Sequence, residues 1–448
     1  MKLEEIFNAK LTENGDIAFT STGDNKLLDI LFLTEYYQKH LNEVPVLEDS
    51  DINRLFAMFI RDPRYGLGRR DLGRKLMSMT NVSIDHIIKA GRVDDVFHIE
   101  YENINAFTLV LDYLKTEIIK GNELVKKWMP RYSSKNVLLA REIARYWGMN
   151  KQQYGHFIKC NTTENKLSDH RYNDIEFEHV PSLAMIKYAH AFATKPETKE
   201  RYSQYLLDVK AGKKDLKVST TTVYDIYKNR TKIDADLFFS KIEKISGSWI
   251  PIVDTSGSML DGNDSFGKAL AIGHYLAKCS SYCPNKVISF SSHPQLITLG
   301  DTPIAARRWD PFEMFPSEKG KSEYEREIAS MYTGDCSNTD FGAVMRLLSN
   351  LDGNIPEYLI VLSDMEFDCG SSMSKNETMN LFKEKGYTTK IIWWNLNSRS
   401  TTIPEMDHYG NIYLSGYSPM LLKYLEAGFN GEAFLNKLLR EYAKVIGE

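Results

Sequence analysis

Cysteine is scarce: five residues in 448, an odd number with no dense spacing. That excludes a secreted scaffold held by disulfides. Cys279 and Cys283 lie four apart, but no further Cys or His pair completes a zinc site around them. No stretch reaches the roughly 18 apolar residues of a membrane-spanning helix. The amino-terminal MKLEEIFNAKL has charges where a signal peptide has its apolar core. The expected setting is therefore reducing and cytoplasmic, away from membranes. Nor is one sign of charge in excess, with 56 Lys+Arg against 60 Asp+Glu and a net charge of -4. This excludes a general polycation and leaves room for a local basic surface. The 27 Gly and 14 Pro follow no period, which excludes fibrous classes. At 42% hydrophobic and 26% charged residues, the chain has enough apolar surface to fold, and its length suits two domains.

Two periodicities divide it. Up to about residue 245 the apolar residues recur at three- and four-residue steps. The stretches are Leu27 to Leu41, Ile52 to Ile60, Val82 to Ala90, Phe107 to Ile119, Val137 to Trp147, Pro181 to Phe192 and Arg201 to Val209. Many helices of about 10 to 15 residues on short turns suggest stacked helix pairs of the HEAT kind. Only a piece near Ile17 to Thr20 is ambiguous. From about residue 247 short apolar runs alternate with helical ones. Strands are expected at SWIPIV (248–253), Lys286 to Phe290, YLIVL (358–362) and Lys390 to Trp394. Helices are expected at Phe266 to Cys279, Thr339 to Leu351, Met379 to Lys385, Leu421 to Ala427 and Gly431 to Ile446. Continuously apolar strands between helices predict a Rossmann-like parallel sheet covered on both faces. The division is then 1–246, all helical, and 247–448, α/β.

Ligand sites in such sheets gather beyond the carboxyl ends of the strands. Two polar loops directly follow expected strands, Asp254-Thr255-Ser256-Gly257-Ser258 and Ser363-Asp364. A third, Ser337-Asn338-Thr339-Asp340, precedes a helix. Alternation along the first loop lets Asp254, Ser256 and Ser258 converge. Two carboxylates and three hydroxyls, with no His or Cys, suit Mg²⁺ or another hard divalent cation. Asp-bearing loops also cap helices, and for Thr339 and Asp340 that is the competing reading. The first loop is not a G-x-S-x-G elbow, and no Ser/His/Asp set stands out, so catalysis is not expected.

Asp254-x-Ser256-x-Ser258, followed by Thr339 and Asp364 on later loops, resembles the metal-ion-dependent adhesion site of von Willebrand factor A domains. The resemblance implies that Ser256, Ser258 and Thr339 ligate the ion directly. It implies that Asp254 and Asp364 act largely through water, with Glu366 and Asp368 adding negative potential.

The first half carries +3, from 38 basic and 35 acidic residues up to position 250, and the second half -7, from 18 and 25. Basic residues are densest from Arg54 to Lys75, seven of them against Asp62 and Asp71. Within RDPRYGLGRR (61–70), Pro63 ends a helix and two glycines make a tight turn. Guanidiniums on a turn suit phosphates, and Tyr65 suits stacking on a base. Arg61, Arg64, Arg69, Arg70 and Arg74 are the candidate RNA contacts. The opposing reading is that Arg61 and Arg64 tie helices together.

The segments RDPRYGLGRR, GRVDDVF, VKKWMP, HVPSLAM, PIVDTSGSM, VLSDMEFD and LSGYSPMLLKYL together resemble TROVE proteins, the family of the Ro autoantigen. The resemblance is nearest to viral, bacterial and plant relatives of that architecture. It implies a ring of helical repeats followed by a von Willebrand factor A domain that closes it. It further implies a non-catalytic scaffold for single-stranded or small noncoding RNA, bound electrostatically. The alternative is a protein-interaction module whose metal site grips an acidic residue of a partner, without RNA.

Overall fold

A computed structural model describes residues 9–23, 25–90, 93–101, 104–260, 262–301, 322–332, 337–350, 355–397, 399–405, 411–417 and 431–447. Among the described residues eight strands run in chain order: β1 (Ala9–Leu11), β2 (Ile17–Phe19), β3 (Trp249–Asp254), β4 (Lys286–Phe290), β5 (Gln295–Thr298), β6 (Tyr358–Ser363), β7 (Lys390–Asn395) and β8 (Ile412–Ser415). The last six form one sheet in the order β5-β4-β3-β6-β7-β8. All neighbours in it are parallel except β5, which runs antiparallel on the edge beside β4.

The apolar runs explain the centre of this sheet. Every residue of β3 and β6 is buried, as a strand covered on both faces requires. Pro251 would break a ladder in most central strands. Here the β3–β4 partners begin only at Ile252↔Ile288, one residue later. Ser265–Cys279 is an almost wholly buried helix beside β3, with Gly273 pressed against Val253. Trp249, Trp393 and Trp394 are fully buried, and each indole N–H donates to an oxygen: Leu276 O, Glu405 Oε1 and Gly416 O. His274 is buried beside Phe239 and Tyr324 and bonded at 2.7 Å to Glu327. Desolvation pulls its pKa down, outweighing the pull of Glu327, which Lys278 already neutralises.

The chain falls into two compact units, and the boundary at 246 does not separate them. One unit comprises residues 1–45 and 221–441, the other 46–220 and 442–448. The first 45 residues belong with the sheet because the β1–β2 hairpin is bonded to it. Isolated bridges join Gly15 to Asp368 and Phe19 to Ile403, and Thr12 Oγ1 donates to Phe367 O at 2.7 Å. The helix Lys26–Phe32 buries Phe32 edge-on against Tyr413 of β8. Val223–Asn229 and Ala235–Lys241 also belong here, the first through Tyr224, whose hydroxyl donates to Asp264 at 2.7 Å.

The other unit is helical throughout its described residues. Pairs such as Asp51–Arg61 with Arg70–Met79, and Ser182–Thr194 with Pro196–Lys210, follow the expected periodicity. Of the expected helices, Thr339 to Leu351 starts later, at Phe341. Met379 to Lys385 is the end of a longer one, Ser371–Glu384. Leu421 to Ala427 lies outside the described residues.

Candidate functional site

The sheet order reverses between β3 and β6, since β4 lies beyond one and β7 beyond the other. This is the switch point at which open α/β sheets take ligands. Asp254 ends β3, and Asp364 follows the last residue of β6. With Val253 opposite Leu362, Asp254 lies beside Ser363 and Asp364 comes one residue beyond it, so both carboxylates sit at the same end of the sheet.

Both are almost wholly buried, Asp254 at 0% and Asp364 at 3% exposed. Asp254 accepts bonds from the Ser363 hydroxyl at 2.5 Å and the Ser256 N–H at 2.9 Å. The second bond curls the loop so that the Ser256 and Ser258 hydroxyls face each other at 3.1 Å. Ser258 also bonds to the Asp364 carboxyl. The remaining oxygen of Asp364, Oδ2, has no hydrogen-bond partner. Burial raises the pKa of both carboxyls, and the charge of Asp364 raises Asp254 further. Two carboxylates are thus held out of water with little to neutralise them, a costly arrangement unless a cation comes.

Thr339 is buried, and its loop reaches the first one through the Gly257 N–H donating to Ser337 O at 3.3 Å. Asp254, Ser256, Ser258 and Asp364 are linked by their side chains, whereas Thr339 is tied in through its backbone. Its carbonyl accepts the Asp368 N–H at 2.9 Å. Asp340 caps the helix Phe341–Ser349, accepting the Ala343 N–H at 2.8 Å. Among the described residues no three His, Cys, Asp or Glu side chains gather as a metal cluster. The donors that do converge are two carboxylates and hydroxyls, which fit a hard cation.

Met365, between Asp364 and Glu366, has φ of 67°, a strained conformation for a side chain of its kind. The turn sends Glu366 inward, where it is 2% exposed. Glu366 accepts the Glu13 N–H at 2.7 Å and the Thr402 hydroxyl at 2.5 Å. It is therefore the anchor of the amino-terminal hairpin. Two residues at this site were not evident from sequence, Arg399 and Glu13. They stand 386 positions apart, and no local pattern connects them.

The arginine segment is arranged differently from its sequence expectation. Arg61 is 3% exposed and paired with Asp95 at 2.7 Å. Arg74 reaches Asp95 at 2.6 Å and Asp94 at 3.0 Å. Arg69 is buried as well. Arg61 and Arg74 are drawn inward by Asp94 and Asp95 as internal ties, and all three guanidiniums are largely withdrawn from the surface. The RDPRYGLGRR turn closes on Asp62, whose Oδ1 accepts the Arg64 and Tyr65 N–H groups. A Cβ on Gly66 would lie 1.9 Å from Phe59 O, so only glycine fits there. Arg64 and Arg70 remain exposed. Arg64 lies over the Tyr65 ring at 5.7 Å, and Arg70 pairs with Asp71 at 2.9 Å.

Residues 152–250 match a family model described as a domain of unknown function, DUF2828, and residues 248–438 match a second, DUF7788. Uncharacterized protein L728 of Acanthamoeba polyphaga mimivirus is 24% identical, over 97% of this chain and 88% of its own length. The Ro (RSR) protein of Deinococcus radiodurans aligns structurally at 13% identity and a TM-score of 0.37, over 95% of this chain and 86% of that one.

Proposed function

We propose that the sheet-bearing unit is a cation-dependent binding domain of the von Willebrand factor A kind, within a non-catalytic scaffold. Ser256, Ser258 and Thr339 hold one hard divalent ion, Mg²⁺ by donor chemistry, with Asp254 and Asp364 behind them. The ion leaves a coordination position for an acidic group of a partner protein. The observation that carries this reading is the buried pair Asp254 and Asp364, with Asp364 Oδ2 lacking a hydrogen bond at the sheet's switch point. Titration with Mn²⁺ by calorimetry should give one ion per chain. The double substitution Ser256→Ala, Ser258→Ala should weaken it by about 30-fold or more, roughly two lost ligand bonds to a charged centre. Wild-type protein that takes up no Mn²⁺ at millimolar concentration would overturn the reading.

A second reading, RNA binding by the helical unit, is favoured by exposed Arg64 over the half-open ring of Tyr65, with exposed Arg70 nearby. These offer phosphate contacts and a stacking face. Fluorescence anisotropy with an unstructured RNA should then show log affinity falling with log salt, by about 0.7 per phosphate contact. Arg64→Glu with Arg70→Glu should weaken binding across sequences and flatten that slope, while chelation of metal leaves it unchanged. Indifference to the double reversal removes RNA from consideration at this turn.

A further inference from the structure

Arg399 is the basic residue that the structure sets against the buried carboxylates. Its Nη2 lies 4.0 Å from Asp364 Oδ2, the oxygen without a hydrogen bond, and 2.8 Å from Glu13 Oε2. Its side chain is 40% exposed, whereas that of Asp364 is 1% exposed. The guanidinium therefore stands half-exposed beside the site, with Nη2 between Glu13 and Asp364.

This position is built. The loop carrying Arg399 leaves β7 with the Leu396 N–H donating to Ser363 O at 3.1 Å, which fastens it to the end of β6. Asn395 Oδ1 accepts the Asn397 N–H, and Asn397 Oδ1 accepts the Arg399 N–H, at 3.0 and 2.8 Å. Beyond it, Thr402 is bonded to Glu366. Glu13 is fixed from the other side, because its own N–H and the Asn14 amide both donate to Glu366, at 2.7 and 2.9 Å. Glu366, through its carboxylate and its backbone carbonyl, thus sets the relation between the hairpin, the arginine and the metal loop.

Arg399 is too far from Asp364 for a hydrogen bond, and a cation so placed opposes a metal ion at the same carboxylates. The tie to Glu13 engages Nη2 alone and leaves the side chain 40% exposed. An anion arriving at the ion meets a planar group that matches two oxygens. We propose that Arg399, positioned by Glu13, is the second contact for the ligand of the cation site, and that this ligand is a carboxylate. One carboxylate oxygen goes to the ion and the other to the guanidinium. The inference rests on the cation-dependent reading above.

Two titrations of the full chain test it. In the first, Mn²⁺ alone is added to wild type, Arg399→Ala and Arg399→Lys. The alanine variant should bind Mn²⁺ about three- to tenfold more tightly, because an opposing charge has gone. The lysine variant should resemble wild type. In the second, with Mn²⁺ saturating, the probes are a blocked peptide with one central Asp, the same peptide with Asn, and inorganic phosphate. The alanine variant should bind the Asp peptide about tenfold or more weakly, and lysine should restore part of the loss. The Asn peptide should not bind. Opposite signs in the two titrations are what a merely structural Arg399 would not give. If both affinities fall, or neither moves, Arg399 is not a ligand contact. If phosphate binds more tightly than the Asp peptide, the carboxylate assignment is wrong. If wild type binds no Mn²⁺, the first titration shows that the cation site itself has failed, and this inference falls with it.

Discussion

Replacing Asp254 with Asn will make the metal-free protein more stable while costing it the cation. Asp254 and Asp364 are buried side by side, and burial is the largest cause of the raised pKa of each. An amide at 254 keeps the geometry. Its oxygen can still accept the Ser256 N–H, and its nitrogen can donate to the Ser363 hydroxyl where Asp254 now accepts from it. What disappears is one of two like charges out of water. The expected gain is about 1–3 kcal/mol, the scale of removing a poorly compensated buried charge. Mn²⁺ affinity should fall about 100-fold, since a second-layer carboxylate has been neutralised. The pH dependence carries the same sign. Between the ordinary carboxyl value near 4 and the raised native one, the folded state holds a proton that the unfolded chain releases. Stability of the metal-free protein therefore falls as pH rises across that window, and Asp254→Asn flattens the slope. Urea denaturation with and without chelator, at several pH values, measures both. A variant less stable than wild type without metal would contradict the account.

Substitution of Asp95 by Ala should have the largest cost in the helical unit. Asp95 is fully buried and joins Arg61 and Arg74, with one carboxylate oxygen for each guanidinium. Truncating it strands Arg61 in a site only 3% exposed and leaves Arg74 with Asp94 as its remaining close partner. Removing one partner from a buried ion pair typically costs about 3–5 kcal/mol. Arg64→Glu and Arg70→Glu, on exposed side chains, should stay within about 0.5 kcal/mol. Urea unfolding followed by the fluorescence of Trp128 and Trp147 separates the two classes. Equal effects for Asp95→Ala and Arg70→Glu would mean that the buried network contributes nothing.

These two sites show what could be read from the sequence and what could not. SWIPIV and YLIVL announced β3 and β6 because strands covered on both faces need no polar alternation, and a run of apolar residues ending in Asp or Ser-Asp survives as a pattern. β1 and β5, with three and four residues, are too short to carry a period. At four residues, β8 is equally brief although fully buried. The withdrawal of Arg61, Arg69 and Arg74 from the surface was not legible for a different reason. Charge density along a chain does not say which way a side chain faces, and the acids that claim Arg61 and Arg74 lie 20 to 34 positions later. The boundary at 246 assumed that neighbours in sequence share a unit, but hydrogen bonds to Phe367 and Glu366 bind the first residues to a distant loop. Arg399 and Glu13 were hidden by the same separation.

That separation has a consequence at the ribosome. The hairpin emerges long before its partners around Phe367 and Asp368, which are translated some 350 residues later, by subtraction of the bridged positions 15 and 368. At about 5–20 residues per second, this is a wait of roughly 20 to 70 seconds. Through that interval the strands β1 and β2 have each other but not the surface that covers them, while helices of the 46–220 segment can already pair locally. A hairpin made early is thus among the last elements to reach its native contacts. A chain stalled before residue 364 would carry Glu13 with neither of the groups it touches at the cation site.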